Sequence, residues 1–238
     1  IRPLYKNIYL RADHIQAISK FLAARAKKLG AECPINIVPN GVDLEVFKPI
    51  WKIENLNKKI IITVSRLVEK NGVRYLIEAL PEVLNKYHDA QLWIVGDGKL
   101  RQELEILSVK LNINDRVKFL GSQPQEKVYD LLSQASIFVR PSLSEGLGNA
   151  FLEAMAVGLP TVGTPVGGIP DFLRDVETGW ICEVKNPQSI AEKINYILDG
   201  KNRLEVERVV EAANRMVEEK YDWENISECM KAIFYKLI

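Results

Sequence analysis

The feature that most constrains this chain is a recurrence: short β-branched runs, each followed by a stretch of helical period. The runs are IIITVS (60–65), QLWIVG (91–96), VKFLG (117–121), SIFVRPS (136–142) and PTVGT (160–164). They are near-continuously apolar, which a strand requires when both of its faces are buried. Between them, Val73, Leu76, Ile77, Leu80, Val83, Leu84 and Tyr87 fall on one helical face, and Leu100, Leu104, Leu107 and Leu111 on another. Further helices are expected from Gln125 to Gln134, from Asn149 to Val157 with Gly158 as its stop, and from Pro187 to Asp199 closed by Gly200. Strand alternating with helix, joined by right-handed crossovers, predicts a doubly wound α/β domain with a mainly parallel sheet.

Composition narrows the partners. The chain has 238 residues, enough for a large core, and its 32 Lys plus Arg nearly balance its 31 Asp plus Glu. A net charge of +1 offers no bulk attraction to nucleic acid or to an anionic membrane, so any anion must be met locally. Cys33, Cys182 and Cys229 are widely spaced, without a CxxC pair, and the imidazoles are those of His14 and His88, so neither a disulfide framework nor a zinc site is expected. A reducing cytoplasm suits that cysteine usage. No apolar run approaches the roughly 20 residues of a membrane helix. IRPLYKNIYLRAD lacks the apolar stretch of a signal peptide. The first residue is Ile rather than Met, which points to residues upstream.

Residues 1–50 differ in kind, with HIQAIS, a basic helix from Lys20 to Leu29, the short strand NIVP and the loop NGVDLEVFKP. They are read as a remnant and linker, and the polar stretch WKIENLNKK (51–59) as the boundary to a main domain that runs to residue 222. Trp223, Ile226, Met230, Ile233, Phe234 and Leu237 then mark a last helix over 223–238.

Ligands of open α/β sheets bind beyond the C-terminal ends of the strands. The richest such loop is PSLSEGLGNAFLEAMAVGLP (141–160), where Gly146 and Gly148 precede a helix whose free N–H groups and positive dipole end suit a phosphate. Glu145 stands before the turn and Glu153 one helical turn after it, with Asn149 as the expected N-cap; carboxylates grip sugar hydroxyls well. The plainer reading makes Glu145 an electrostatic cap and Glu153 a solvated residue, but a lone Glu inside so apolar a helix needs a partner. In SRLVEKNG, Arg66 and Lys70 could neutralise a diphosphate, or form a solvated basic pair. GDGKLR (96–101) lacks the third glycine of a dinucleotide fingerprint and follows a later strand, so a nicotinamide site is rejected. Gly96 and Gly98 then form a tight turn, which either lets a nucleoside approach or serves turn geometry alone. TPVGGIPDF (164–172) reads as a backbone nest or as a flexible turn.

Taken in order, IVPNGVDLEVFKP, SRLVEKNG, LWIVGDGKLR, VKFLG, PSLSEGLGNAFLEAMAVGLPTVGTPVGGIPDFL and ETGWICEV resemble the retaining GT-B glycosyltransferases often called glycosyl transferases group 1. The resemblance implies the Rossmann-like, donor-binding half of a two-domain enzyme, with an acceptor domain that this chain mostly lacks. It implies that Arg66 and Lys70 neutralise the leaving diphosphate, that Glu153 holds the ribose hydroxyls, and that Glu145 and the backbone at Gly146, Leu147, Gly148 and Asn149 meet the transferred sugar. Gly121 and Ser122, beside Gly96 and Gly98, would border the base. The donor would be a UDP-, GDP- or ADP-sugar, with no metal or other cofactor required. Leu147 replaces a common aromatic and Asp171 a common Glu, and the last helix would cross towards the missing domain, leaving apolar surface exposed. The basic helix carrying Lys20, Arg25, Lys27 and Lys28 is read as solvated charge; a lipid-linked acceptor would add peripheral membrane contact in the full-length protein. Rival readings are a donor-binding subunit of a two-chain transferase, a nucleotide-sugar epimerase of GT-B fold, and a purely structural domain.

Overall fold

The computed structural model describes the backbone of residues 2–237, with side chains from Asn7 onward. The chain opens with helix α1 (Arg2–Arg11), strand β1 (Ile15–Ala17), helix α2 (Lys20–Lys28) and strand β2 (Ile35–Ile37). β1 and β2 pair in parallel, with Ile15 opposite Ile35. The main body then runs β3 (Ile60–Val64), α3 (Val73–Lys86), β4 (Gln91–Val95), α4 (Arg101–Lys110), β5 (Val117–Gly121), α5 (Gln125–Gln134), β6 (Ile137–Arg140), α6 (Asn149–Val157), β7 (Thr161–Gly163) and β8 (Trp180–Ile181). Three helices complete it: α7 (Pro187–Leu198), α8 (Arg203–Lys220) and α9 (Trp223–Leu237).

The six strands of the main sheet are all parallel, in the order β5-β4-β3-β6-β7-β8. The chain winds outward from β3 to β5, then returns to β6 beside β3 and winds the other way. That reversal opens a crevice beyond the C-terminal ends of β3 and β6, where ligands of such sheets bind. The expected doubly wound α/β class is the observed one.

Two buried clusters explain the near-continuous apolar strands. Ile61, Val139 and Leu92 face one cluster with Leu76 and Ile77 of α3 and Ile190 and Ile194 of α7. Ile62 and Phe138 face the other with Leu131 and Leu132 of α5, Phe151 and Met155 of α6, and Val217 of α8. Each strand therefore feeds two cores through alternate residues.

The structure departs from the sequence reading in several places. Helix α8 was not anticipated, although Val206, Val209, Val210, Ala213, Met216 and Val217 form a buried stripe at helical spacing. Charged residues between them dilute the pattern. Gly200 does not close α7, whose C-cap is Asp199; it opens a 3-10 turn over Gly200–Asn202. Gly158 ends α6 in the left-handed region, as expected. Residues read as linker carry core contacts: Phe47 is fully buried with Val42 in the second cluster, and Leu56 joins the first. Helix α9 leaves Trp223, Phe234, Tyr235 and Leu237 exposed, while Ile226 and Ile233 pack on Val38.

Candidate functional site

The crevice is built from three loops. The loop after β3 carries Arg66 and Lys70, with Lys70 inside a 3-10 turn over Glu69–Asn71. Both side chains are exposed, and neither enters an ion pair among the described residues. Their loop is tied to the one after β6, because Leu143 N–H donates to the Lys70 carbonyl at 2.7 Å and Ser144 N–H at 3.3 Å. Asn71 donates through Nδ2 to the Arg66 carbonyl at 2.7 Å. Two cations are thus held beside the start of the next loop.

That next loop leads into α6. Gly148 caps the helix with φ of +103°, a conformation that penalises any residue with a Cβ. Asn149, expected as the N-cap, is instead the first helical residue: the left-handed cap conformation selects glycine, and the Asn149 amide accepts from Asn40 Nδ2 at 3.2 Å. Among the described residues, no hydrogen bond takes up the backbone N–H groups of Leu147, Gly148, Asn149 or Ala150. Four free donors at the positive end of a helix make a cradle for an anion. The Leu147 side chain turns into the second core, 2% exposed, and lines a cleft with Ile18, Pro39 and Tyr221.

The two carboxylates behave differently. Glu145 Oε2 receives Arg140 Nη2 at 2.5 Å, and Glu145 Oε1 receives the N–H of Gly146 at 2.9 Å, so this carboxylate holds the turn together. Its side chain is only 11% exposed. Glu153 has no hydrogen-bond or ion-pair partner among the described residues, and burial pushes its carboxyl above the usual glutamate range while the charge of Arg140 opposes that rise. An under-satisfied, part-buried carboxylate one turn inside α6 has acceptor capacity for a ligand's hydroxyls.

Arg140 is the residue that sequence reasoning missed. It ends β6 at 8% exposure, bonds Asn71 Oδ1 at 3.0 Å as well as Glu145, and lies 5.9 Å from the centre of the Phe151 ring. A signal existed, since an arginine closing the otherwise apolar run IFVR sits where a strand buried on both faces has no room for an unpaired charge. Arg140 Nε, Thr63 Oγ1, Ser65 Oγ and Ser142 Oγ are buried without a partner among the described residues, and all four lie at the C-terminal ends of β3 and β6. Orphaned polar atoms so concentrated mark a place where a polar ligand or ordered water completes the bonding.

The loop after β7 supports this one from behind. Gly168 N–H donates to the Glu145 carbonyl at 3.2 Å, and Thr164 Oγ1 donates to the Ser142 carbonyl at 2.5 Å. Asp171 accepts the N–H of Lys20 at 2.8 Å, which fastens the start of α2 to the same region. Ile18 and Leu22 lie over Gly146, so the first fifty residues border the crevice directly. On the other side of Arg66, Gly96 N–H donates to the Gly121 carbonyl at 2.7 Å, bringing the ends of β4 and β5 together. Gly98 N–H is taken by Asp97, and Ser122 is exposed next to Gly121. The site residues expected from sequence therefore converge on one edge of the sheet. His14 and His88 are not among them. A cavity of about 490 Å³ on the outer flank of α3 and α4, lined by Arg74, Glu103 and Ile106, contains none of these residues. Among the described residues no helix is long and apolar enough to cross a membrane.

The model of the family described as "Glycosyl transferases group 1" matches residues 48–228, most of the chain. The chain belongs to that family. An uncharacterised glycosyltransferase of Methanocaldococcus jannaschii is 37% identical over 172 residues, covering 72% of this chain and 43% of that protein. The crystal structure of Anabaena HepE in complex with UDP and glucose superposes with a TM-score of 0.88 at 22% identity, covering 99% of this chain and 66% of the other. The C-terminal domain of a glycosyl transferase group 1 family protein from Francisella tularensis superposes with a TM-score of 0.67 at 27% identity, over 77% of this chain and all of that domain. The chain spans about half the length of the curated relatives it matches.

Proposed function

We propose that this chain is the donor-binding half of a retaining glycosyltransferase, which holds a nucleoside-diphosphate hexose for transfer to an acceptor seated against a domain outside this sequence. The observation that carries the reading is the cradle at the switch point. Four backbone N–H groups at the start of α6, unpartnered among the described residues, stand across tied loops from two exposed cations, Arg66 and Lys70, that have no ion-pair partner there either. That arrangement suits a diphosphate, whose negative charge grows as it leaves the sugar, and preorganised donors there lower the barrier without needing to reorient. Glu153 supplies acceptors for ribose hydroxyls, and the paired ends of β4 and β5 at Gly96 and Gly121, with Gly98 and Ser122, border the base. The turn from Glu145 to Gly148 meets the transferred sugar through its backbone. The Francisella tularensis C-terminal domain matches 77% of this chain over its whole length, and the HepE structure holds UDP and glucose, both of which support this reading. The exposed apolar side chains of α9 supply a face for the acceptor domain.

Calorimetric titration of the chain with UDP, GDP and ADP tests the proposal. One diphosphate is expected to bind best, and Arg66→Ala and Glu153→Ala should each weaken it by about 1.5–3 kcal/mol, the scale of a hydrogen bond to a charged group. A folded chain that binds none of the three refutes it.

A further inference from the structure

Burying a guanidinium in a parallel sheet carries a large desolvation cost, and the ion pair that offsets it gives little net stability over apolar residues of similar volume. Arg140 therefore calls for another explanation, and its contacts supply one. Its Nη2 donates to Asn71 Oδ1 at 3.0 Å and to Glu145 Oε2 at 2.5 Å. Beyond Asn71, the chain of bonds continues through Nδ2 to the Arg66 carbonyl at 2.7 Å. Beyond Glu145, it continues through Oε1 to the Gly146 N–H at 2.9 Å. One buried nitrogen thus joins the loop that carries Arg66 and Lys70 to the turn that carries the free N–H groups. The Phe151 ring, itself within the second core, lies against the guanidinium at 5.9 Å and limits its movement.

We propose that Arg140 is a positioning residue of the donor site, which sets the separation between the two diphosphate-binding cations and the helix cradle through Asn71 and Glu145. The inference rests on the donor-site reading above and adds to it a residue that acts through Asn71 and Glu145. A lysine at this position would keep the charge and could donate twice, but its flexible stem would not hold the nitrogen where the rigid guanidinium plane beside Phe151 places Nη2.

The test is calorimetric titration of the chain and its variants with UDP, GDP and ADP, paired with thermal unfolding of each variant. Arg140→Met is expected to weaken binding of the preferred diphosphate about tenfold or more, and Arg140→Lys several-fold, in protein that is still folded. In a Glu145→Gln background the loss from Arg140→Met should shrink by at least about threefold, because that route to the turn is already cut. A role in stability alone would lower the unfolding temperature and leave the affinity of folded protein unchanged. Affinity within about twofold of the parent, or a strictly additive cycle, overturns the inference. If Arg140→Met does not fold, Arg140→Lys decides: unchanged affinity refutes the clamp and weakened affinity supports it. A parent chain that binds no nucleotide removes the donor-site reading and this inference with it, whereas a parent that binds alongside variants that bind equally well removes the inference alone.

Discussion

Gly167→Ala is the substitution whose cost the structure specifies most closely. Gly167 has φ of +60°, where an L-residue is penalised by about 1–2 kcal/mol. A Cβ built there lies 1.7 Å from the Glu145 carbonyl oxygen, whereas real Cβ contacts essentially never fall under 3.0 Å, so the two backbones must separate by about 1.3 Å, the difference between those figures. The obstacle is main chain on both sides, so no side chain can swing away to relieve it. Moving the Glu145 carbonyl also breaks the bond from Gly168 N–H, which is 3.2 Å long as it stands and worth about 1 kcal/mol. With the overpacking strain included, the variant should lose about 3–5 kcal/mol. For a chain of this size that lowers the unfolding midpoint by on the order of 10 °C. Gly200→Ala is the internal control, since the nearest atom to its Cβ is Arg203 Nε at 3.9 Å and its φ lies outside the left-handed range. It should fall within about 0.5 kcal/mol of the parent. Scanning calorimetry on the three proteins decides the matter, and a Gly167→Ala midpoint indistinguishable from that of the control would refute the argument that this loop braces the Glu145 turn.

Two further outcomes are expected. The Glu153 carboxyl is raised by burial, with Arg140 opposing, so between the ordinary glutamate value and the folded value the native state binds more protons than the unfolded chain. Stability from this group is therefore present at the acid end of that window and is lost as pH rises through it. Urea unfolding at a series of pH values should show the parent losing stability relative to Glu153→Gln as pH climbs, and parallel curves would contradict the assignment. Phe151→Ala should cost about 3–5 kcal/mol in the same assay, because the ring is fully buried between Phe138 at 5.3 Å and Phe172 at 5.7 Å. A loss under 1 kcal/mol would show that the second core closes over the gap.

Much of this molecule was legible before any coordinates. The parallel sheet follows from strands apolar on both faces, and five of the six main strands and most of the helices fall where the periodicity puts them. β8 escaped because two residues are too few to show a period. α8 escaped because charged residues between its valines mask a stripe that burial makes plain. Glycine and charge patterns also pointed to the loops proposed here as the donor site, since a Gly-rich turn before a helix suits an anion at a strand end.

What each charged residue does was decided only by the tertiary structure. Glu145 and Glu153 look alike in the sequence, with seven residues between them on one turn and helix. Yet Glu145 is bound to Arg140 and to its own turn, whereas Glu153 is left part-buried without a partner among the described residues. Arg66 and Lys70 remain exposed while Arg140 is enclosed. The physical reason is that local patterns depend on a residue's near neighbours, whereas burial and pairing depend on β6 returning to lie beside β3, which brings Asn71 to Arg140 across 69 positions of chain. The sequence by itself determined the layers and pointed to the edge at which a ligand is proposed to sit. The packing of distant segments determined which charges stay available to meet one.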